Sequence, residues 1–426
     1  MDFKEHLKTY LNDEQIEKLV LSFGQKEHKG FYLNKNKMPE KTLLSLFPNV
    51  KKHPLVPNGF LFDQDEYKLG KKVYHELGAY YIMDPSAMLV PYFLKPEKED
   101  LILDMCAAPG GKCVLTSLLM EDSGQIIAND LSKSRAINLL SNIERMGLGN
   151  VTVTSLDFSK LFSRYQNYFD KIILDAPCSG SGMFNKLEEM KSDWSIEKVR
   201  RCSLAQKELI LMAFSMLKEG GRMVYSTCSY SYEEDEEIIE YLLSKTNAKL
   251  EYIDEFAGIF RSPKYKETIH LFPSQFCGEG HYIAVITKPG NKTKYIDHKT
   301  EVFRSNFTKG NARVYDYFLM NKSIDKKFVD LALRPGLFTY SKIGEKIIES
   351  HHYSHYKNAD KSIALNKEEL VKYLKGESLI KNSLNDGYYC VSYLGINAGL
   401  VHLVNGVMKN LYPKGLRHSF DIDSSF

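Results

Sequence analysis

The stretch Leu101-Ile-Leu-Asp-Met-Cys-Ala-Ala-Pro-Gly-Gly-Lys112 sets the architecture. Three apolar residues ending in an acid read as a buried strand, and the paired glycines after it open a helix. Downstream the texture repeats. Gln125-Ile-Ile-Ala predicts a second strand, and a helix through Arg135 and Leu140 stops at Gly147. Asn150-Val-Thr-Val-Thr and Asp170-Lys-Ile-Ile-Leu predict two more strands. A helix over 196–217 leads into a fifth, Gly220-Gly-Arg-Met-Val-Tyr-Ser. Strands alternating with helices at this pace make parallel βαβ units, so the fold class is α/β with a mostly parallel, Rossmann-like sheet.

Ligands of such a sheet lie beyond the carboxyl ends of its strands. At the first end, Cys106, Ala107, Ala108, Pro109, Gly110, Gly111 and Lys112 let the backbone approach a ligand and offer helix N–H groups to a carboxylate. The loop is not a P-loop, because Cys106 occupies the first glycine position and Cys113 the Ser/Thr position. Asp130 ends the second strand, where an acid holds ribose hydroxyls, and Asp157 ends the third, where one accepts from an adenine amino group. A glycine turn with two such acids describes a site for an adenosyl compound carrying a carboxylate, and S-adenosylmethionine fits.

The fourth strand ends in Asp175-Ala-Pro-Cys178 and the fifth in Ser226-Thr-Cys228. Adjacent strands lie about 5 Å apart, so two thiols and a carboxylate would share one pocket mouth. A lone buried cysteine is ordinarily an inert small hydrophobe. Two at the functional edge suit a particular chemistry: a thiolate added at C6 of a pyrimidine turns C5 into a carbon that attacks a methyl group. A carboxyl near N3 steadies the charge that develops. The residues alone do not order the two thiols.

The rest of the chain agrees. With 426 residues, two or three folded units are expected; 43% hydrophobic and 26% charged composition excludes long-range disorder. Met1–Tyr10 is too charged for a signal peptide, and no apolar run reaches the roughly 18 residues of a membrane span. Seven cysteines, five of them between 101 and 230, describe a reduced cytoplasm and no secreted disulfide framework. From Asn291 onward, 21 Lys+Arg face 14 Asp+Glu, a net +7 against −4 for the preceding residues, which points to a polyanionic partner. The expected divisions are an N-terminal RNA-binding module (1–85), a catalytic domain (86–288), a linker (289–300) and two C-terminal modules (301–373 and 374–426).

From Gly78 to Lys288 the chain resembles the Sun/Nop family of RNA 5-methylcytosine methyltransferases. The likeness rests on Gly78-Ala-Tyr-Tyr-Ile-Met-Asp-Pro-Ser-Ala-Met88, Asp104–Lys112, Asp130-Leu-Ser-Lys-Ser-Arg135, Asn142–Gly147, Asp175-Ala-Pro-Cys-Ser-Gly-Ser-Gly182 and Tyr225-Ser-Thr-Cys-Ser229. Phe31–Lys37 is similar to the family's R-x-N-x-x-K stretch. Leu333–Leu337, Leu374–Glu377 and Lys409–Arg417 resemble the two C-terminal modules of the RsmF-type branch, the last PUA-like. The resemblance implies a class I S-adenosylmethionine-dependent methyltransferase acting on small-subunit ribosomal RNA, cytoplasmic and monomeric, with no membrane and no metal. It implies Cys228 as nucleophile, Cys178 in product release, Asp175 in base stabilisation, and Lys186, Lys409, Lys414 and Arg417 as RNA contacts. The alternatives are a tRNA 5-methylcytosine methyltransferase and a non-catalytic assembly factor that binds ribosomal RNA. Four positions depart from the family pattern: Tyr32 and Asn185 replace arginines, Cys113 a threonine, and Gly399-Leu-Val-His402 a G-W-G-K pattern.

Two further clusters read as structural. His351, His352 and His355 lack the ligand pattern of a zinc site and are expected on a plain surface. Ser231 with Glu234 three residues on is expected as a capping box.

Overall fold

The computed structural model describes residues 2–25, 29–184, 188–292, 300–309, 312–321, 324–356, 362–381 and 384–417. An eight-stranded mixed sheet forms the centre. Its main path runs Lys249–Glu251, His281–Thr287, Leu217–Thr227, Phe169–Asp175, Leu101–Asp104, Gln125–Asn129, Val151–Thr154, and Ile269–Leu271 also pairs with His281–Thr287. The five strands read from the sequence are parallel to one another and the other three are antiparallel. Ile102, Ile126, Ile127, Val153, Ile172 and Ile173 are fully buried between helices on both faces, each burial contributing about 1.5–3 kcal/mol. Sheet order reverses at Leu101–Asp104, whose neighbours are Gln125–Asn129 and Phe169–Asp175, so the crevice for a ligand opens above that strand.

The N-terminal module is a four-stranded antiparallel sheet (Lys51–Lys52, Gly59–Phe62, Lys29–Leu33, Tyr80–Met83) with helix Asp13–Ser22, capped by Asn12 and Gln15. Its Asn34 and Lys37 are structural. Asn34 Nδ2 donates to the Gly78 carbonyl, and half-buried Lys37 donates to the Leu77 and Arg145 carbonyls, tying the module to helix Lys133–Met146. Tyr32, in the family's arginine position, is 3% exposed and packs in the core.

Strands Thr300–Lys309, Ala312–Asn321, Leu337–Ile343 and Lys346–Glu349 make one C-terminal sheet, and residues 363–410 supply a second of five strands. The expected boundary at 374 falls too late. Helix Lys367–Leu374 belongs to the last sheet, with Leu370 and Tyr373 in its core and Tyr373 Oη donating to the Leu400 carbonyl. Leu374–Glu377 is the turn that ends this helix, with Gly376 at φ +88°. Most of the expected linker, 293–299, lies outside the described residues.

The histidines are a second correction. His351 and His355 are 8% and 6% exposed, not surface groups. They sit where helix Lys133–Met146 meets the C-terminal unit: His352 pairs with Glu144, His351 packs edge-on against Tyr412, and the His355 carbonyl abuts Gly147. Sequence periodicity could not foresee this, because Glu144 and Gly147 are over 200 residues away and Tyr412 is 61 away. Leu333–Pro335 has a role at the same junction. It bonds to Val153 and Thr152 and covers the open edge of the central sheet. Tyr412 Oη donates to Glu76, so the last module also touches the N-terminal one. Among the described residues no helix is long and apolar enough to cross a membrane.

Candidate active site

Two loops leave the carboxyl ends of adjacent parallel strands, with Asp175 beside Ser226 in register. They bring Cys178 Sγ and Cys228 Sγ to 3.0 Å. The hydrogen bond with Cys228, together with burial, pushes the Cys178 thiol far up, so Cys178 keeps its proton and can donate it toward the Cys228 sulfur. Backbone contacts fix the pair: the Gly182 N–H donates to the Cys228 carbonyl at 2.8 Å, and the Tyr230 N–H to Ser181 Oγ at 2.8 Å. A Cβ at Gly182 would stand 2.9 Å from the Cys228 carbonyl oxygen, so only glycine fits there.

Beneath the thiols lies Glu234, fully buried. Its carboxylate accepts from the Ser179 N–H and hydroxyl, from Ser229 Oγ at 2.6 Å and from Gln206 Nε2 at 3.1 Å. Ser179 follows Cys178 and Ser229 follows Cys228, so one carboxylate holds both thiol loops. Burial raises its pKa and these four donors oppose the rise. The expected capping box is therefore corrected. Ser231 makes no capping hydrogen bond, the segment Tyr232–Glu234 is a 3-10 turn, and the helix starts only at Glu236. A buried carboxylate gains more from four donors than from one exposed helix end. No local signal distinguishes this acid from the run of acids around it.

Asp175 stands beside the thiols. Lys112 Nζ lies 2.8 Å from its carboxylate and Ser226 Oγ donates to it at 2.7 Å. Burial works against its charge, but Lys112 and these hydrogen bonds hold it below the usual carboxylate range. Asp175 is thus ionised and placed as an acceptor. His281, which the sequence reading missed, lies at the same edge with Nδ1 2.9 Å from Ser86 Oγ; burial, then Lys112, pushes it down to about 3, so it is neutral.

The cofactor loop lies one strand over. Arg135 donates to the Ala108 carbonyl at 2.8 Å and Asn142 to the Pro109 carbonyl at 2.9 Å, while the Ala107 N–H donates to Asn129. Gly110, at φ +118°, turns the chain into helix Gly111–Leu119, whose first N–H groups have no side-chain cap. Asp104 ends the first strand, fully buried, and neither carboxylate oxygen has a hydrogen-bond partner among the described residues. Burial first, then Asp175, pushes it up to about 8. Asp130 is also buried: its Oδ1 accepts from the Ser132 N–H, and its Oδ2 has no hydrogen-bond partner, since nearby Arg135 donates to Ala108.

This donor set fits S-adenosylmethionine: free helix N–H groups suit its carboxylate, unpartnered Asp104 its ammonium, and Asp130 Oδ2 a ribose hydroxyl. Cys113, in the family's threonine position, is buried under the loop. Asp157 fits its expected part less well. Its carboxylate turns back to accept from the Ser159 N–H and hydroxyl and pairs with Lys160 at 3.3 Å. Of the expected RNA contacts, Lys409 and Lys414 are exposed, and Lys186 and Asn185 lie outside the described residues. Arg417 turns inward, donating to the Tyr412 carbonyl at 3.0 Å and packing over Gly376.

Most of the chain has known counterparts. The profile described as 16S rRNA methyltransferase RsmB/F matches residues 91–287, that of the N-terminal domain of 16S rRNA methyltransferase RsmF matches 1–85, and that of the methyltransferase RsmF PUA domain matches 360–418. Ribosomal RNA small subunit methyltransferase F of Shewanella loihica is 30% identical over 404 residues, covering 85% of this chain and 83% of that one. The tRNA (cytosine(49)-C(5))-methyltransferase of Pyrococcus abyssi is 36% identical over 313 residues, 68% of this chain and all of that one. A methyltransferase homolog from Pyrococcus horikoshii superposes with a TM-score of 0.59 at 26% identity, covering 67% and 93% of the two chains. NSun6 from the same organism, solved with the S-adenosylmethionine analogue SFG, gives 0.62 at 23% identity, covering 68% and 98%, and shares the fold. With this sheet, this loop and these matches, the chain belongs to the RsmB/F family of S-adenosylmethionine-dependent methyltransferases.

Proposed function

We propose that the enzyme methylates C5 of cytosine in 16S ribosomal RNA of the small subunit, with Cys228 as nucleophile. The observation that carries this reading is the pair of thiols 3.0 Å apart beside ionised Asp175. S-adenosylmethionine, when bound, supplies an electrophilic methyl group. The target base leaves its stack and enters the crevice. Asp175 accepts from its exocyclic amino group. Cys228 adds at C6 as a thiolate. C5 becomes nucleophilic and takes the methyl group, and its proton then passes to solvent water. Breaking the C6–S bond returns the thiolate to Cys228, and Cys178 at the same sulfur assists this release. Asp104 and Asp130 hold the cofactor's ammonium and ribose, and the exposed Lys409 and Lys414 contact phosphates, while Arg417 serves the fold.

We read the enzyme as a cytoplasmic monomer made of the N-terminal module, the catalytic domain, the 300–349 sheet and the PUA-like unit from about 360. The 36% likeness to a tRNA enzyme favours a second reading, tRNA methylation, but that match leaves about a third of this chain uncovered. The experiment is to map 5-methylcytosine in 16S rRNA and tRNA of wild-type and deletion strains. Loss of a 16S mark is expected. Loss from tRNA alone would transfer the assignment, and loss from neither would overturn both.

A further inference from the structure

The sheet of residues 300–349 has two unlike faces. Phe318 and Met320 are 8% and 5% exposed and turn toward the catalytic domain, Met320 joining the core around Phe169 and Phe328. Arg334 closes this side, its guanidinium 5.8 Å and 5.3 Å from the rings of Phe318 and Phe338, and pairs with Glu144 on the catalytic helix. Side chains alternate along a strand, so Tyr315 and Tyr317 turn the other way. Register places Arg304 and Tyr340 on either side of Tyr317, and Lys342 opposite Tyr315.

On this outer face Tyr317 and Tyr340 stack with ring centroids 4.3 Å apart and planes at 18°. Arg304, exposed, holds its guanidinium 5.2 Å from the Tyr315 ring. Lys342 is 35% exposed and meets only the almost fully exposed Glu345, at 3.4 Å, among the ion pairs of the described residues. Glu349 ends the row at the sheet edge, opposite Tyr340. A cross-strand tyrosine pair by itself would merely stabilise the sheet, by about 0.5–1.5 kcal/mol. That role does not require the rings to be half-exposed, to face away from the core, or to be interleaved with two cations.

We propose that this face is a stacking platform for single-stranded RNA, with bases on Tyr315, Tyr317 and Tyr340 and phosphates on Arg304 and Lys342. Bases offer flat faces to aromatic rings whatever their sequence, and the cations follow the backbone. The charge agrees, since the region from Asn291 onward carries net +7. This inference rests on the proposal that the substrate is RNA. It adds that the enzyme grips unpaired nucleotides away from the target cytosine, on a module outside the matched stretches 91–287 and 360–418.

The test uses the full-length protein and a fluorescent mixed-sequence single-stranded RNA of ~12 nucleotides, within the span such surfaces cover. Tyr317→Ala with Tyr340→Ala should weaken binding about five- to hundredfold and leave the slope against salt unchanged. Arg304→Glu, an exposed change, should weaken binding and flatten that slope by about 0.7 per lost phosphate contact. Should the tyrosine variant misfold, ultraviolet crosslinking of the unmodified protein to a 5-iodouridine RNA remains decisive. Crosslinks should map to residues 315–340. Crosslinks only elsewhere, or unchanged affinity in folded variants, would overturn the platform. Unchanged affinity for RNA with lost binding to intact small subunits would identify a protein-binding face instead. Methylation of 16S rRNA by the unmodified protein, read in parallel, separates failure of the platform from failure of the assigned function.

Discussion

The two halves of the crevice are built on opposite principles. On the thiol side the loops that carry the cysteines are tied down by protein partners: Glu234 takes four donors, Thr227 Oγ1 donates to Asp235, and Ser181 accepts from the Tyr230 N–H. On the cofactor side, buried Asp104 and Asp130 together keep three carboxylate oxygens without hydrogen bonds. A satisfied network is rigid and holds reacting groups in register. Buried carboxylate oxygens without hydrogen bonds are costly alone and favour a ligand that brings a cation and hydroxyls. The thiol side is preorganised, and the cofactor side is complementary to its ligand.

The largest effect tests the preorganised side. Cys228→Ala removes the nucleophile and should lower methylation about 10⁴-fold or more, while S-adenosylmethionine binding stays unchanged. Cys178→Ala should still form the C6 adduct but release it slowly, giving a protein–RNA complex that survives denaturing electrophoresis and disappears when Cys228 is also replaced. A trapped complex in the Cys228→Ala protein would exchange the two roles.

Glu234→Ala should be next in size. It leaves the Ser179, Ser229 and Gln206 donors unpaired in the interior, a stability loss of about 3–5 kcal/mol by urea denaturation. Glu234→Gln keeps the shape and part of the bonding, so it should fold. The thiol loops would loosen, and single-turnover methylation should fall about 10²-fold with cofactor affinity intact. An equal loss of cofactor affinity would mean that the two sides are not independent.

These two sides differed in legibility too. The strand ends, the glycine loop and both cysteines stand in contiguous stretches, so periodicity and motif placed Asp130, Asp175, Cys178 and Cys228 at one edge. Glu234 was misread because its helix-start position offered a local explanation, and its real partner Ser179 is 55 residues away. The histidines 351–355 and Arg417 were misplaced for a related reason. Their surroundings come from packing between units, and neither spacing nor composition records which module covers which. Asp157 sits where strand topology puts it, yet its carboxylate chose Ser159, a contact two residues off that the strand-end rule ignores.

On the cofactor side, Asp130→Ala deletes the acceptor for a ribose hydroxyl. Affinity for S-adenosylmethionine should drop by about 1–3 kcal/mol, roughly five- to 150-fold, in calorimetry. Unchanged affinity in a folded variant would remove Asp130 from the site.

The smallest effect is a pH dependence carried by Asp104. Its carboxyl is pushed up to about 8 in the ligand-free protein, whereas an unfolded aspartate ionises near 4. Between these values the folded chain holds the extra proton. Its contribution to stability is complete below about pH 4 and is lost as pH rises toward 8. A cofactor ammonium beside Asp104 favours the carboxylate, so binding must release that proton. Affinity should therefore rise with pH by up to about tenfold between pH 6 and 7, a range in which an α-amino group stays largely charged. Calorimetry in buffers of different ionisation enthalpy should register the released proton directly. Asp104→Asn cannot ionise, so it should abolish both the proton release and the pH slope, which also separates Asp104 from the half-buried Asp84 and Asp122, pushed up to about 6 and about 7 elsewhere in the molecule. A slope that persists in Asp104→Asn would assign the ammonium to another carboxylate and leave Asp104 as a neutral member of the core.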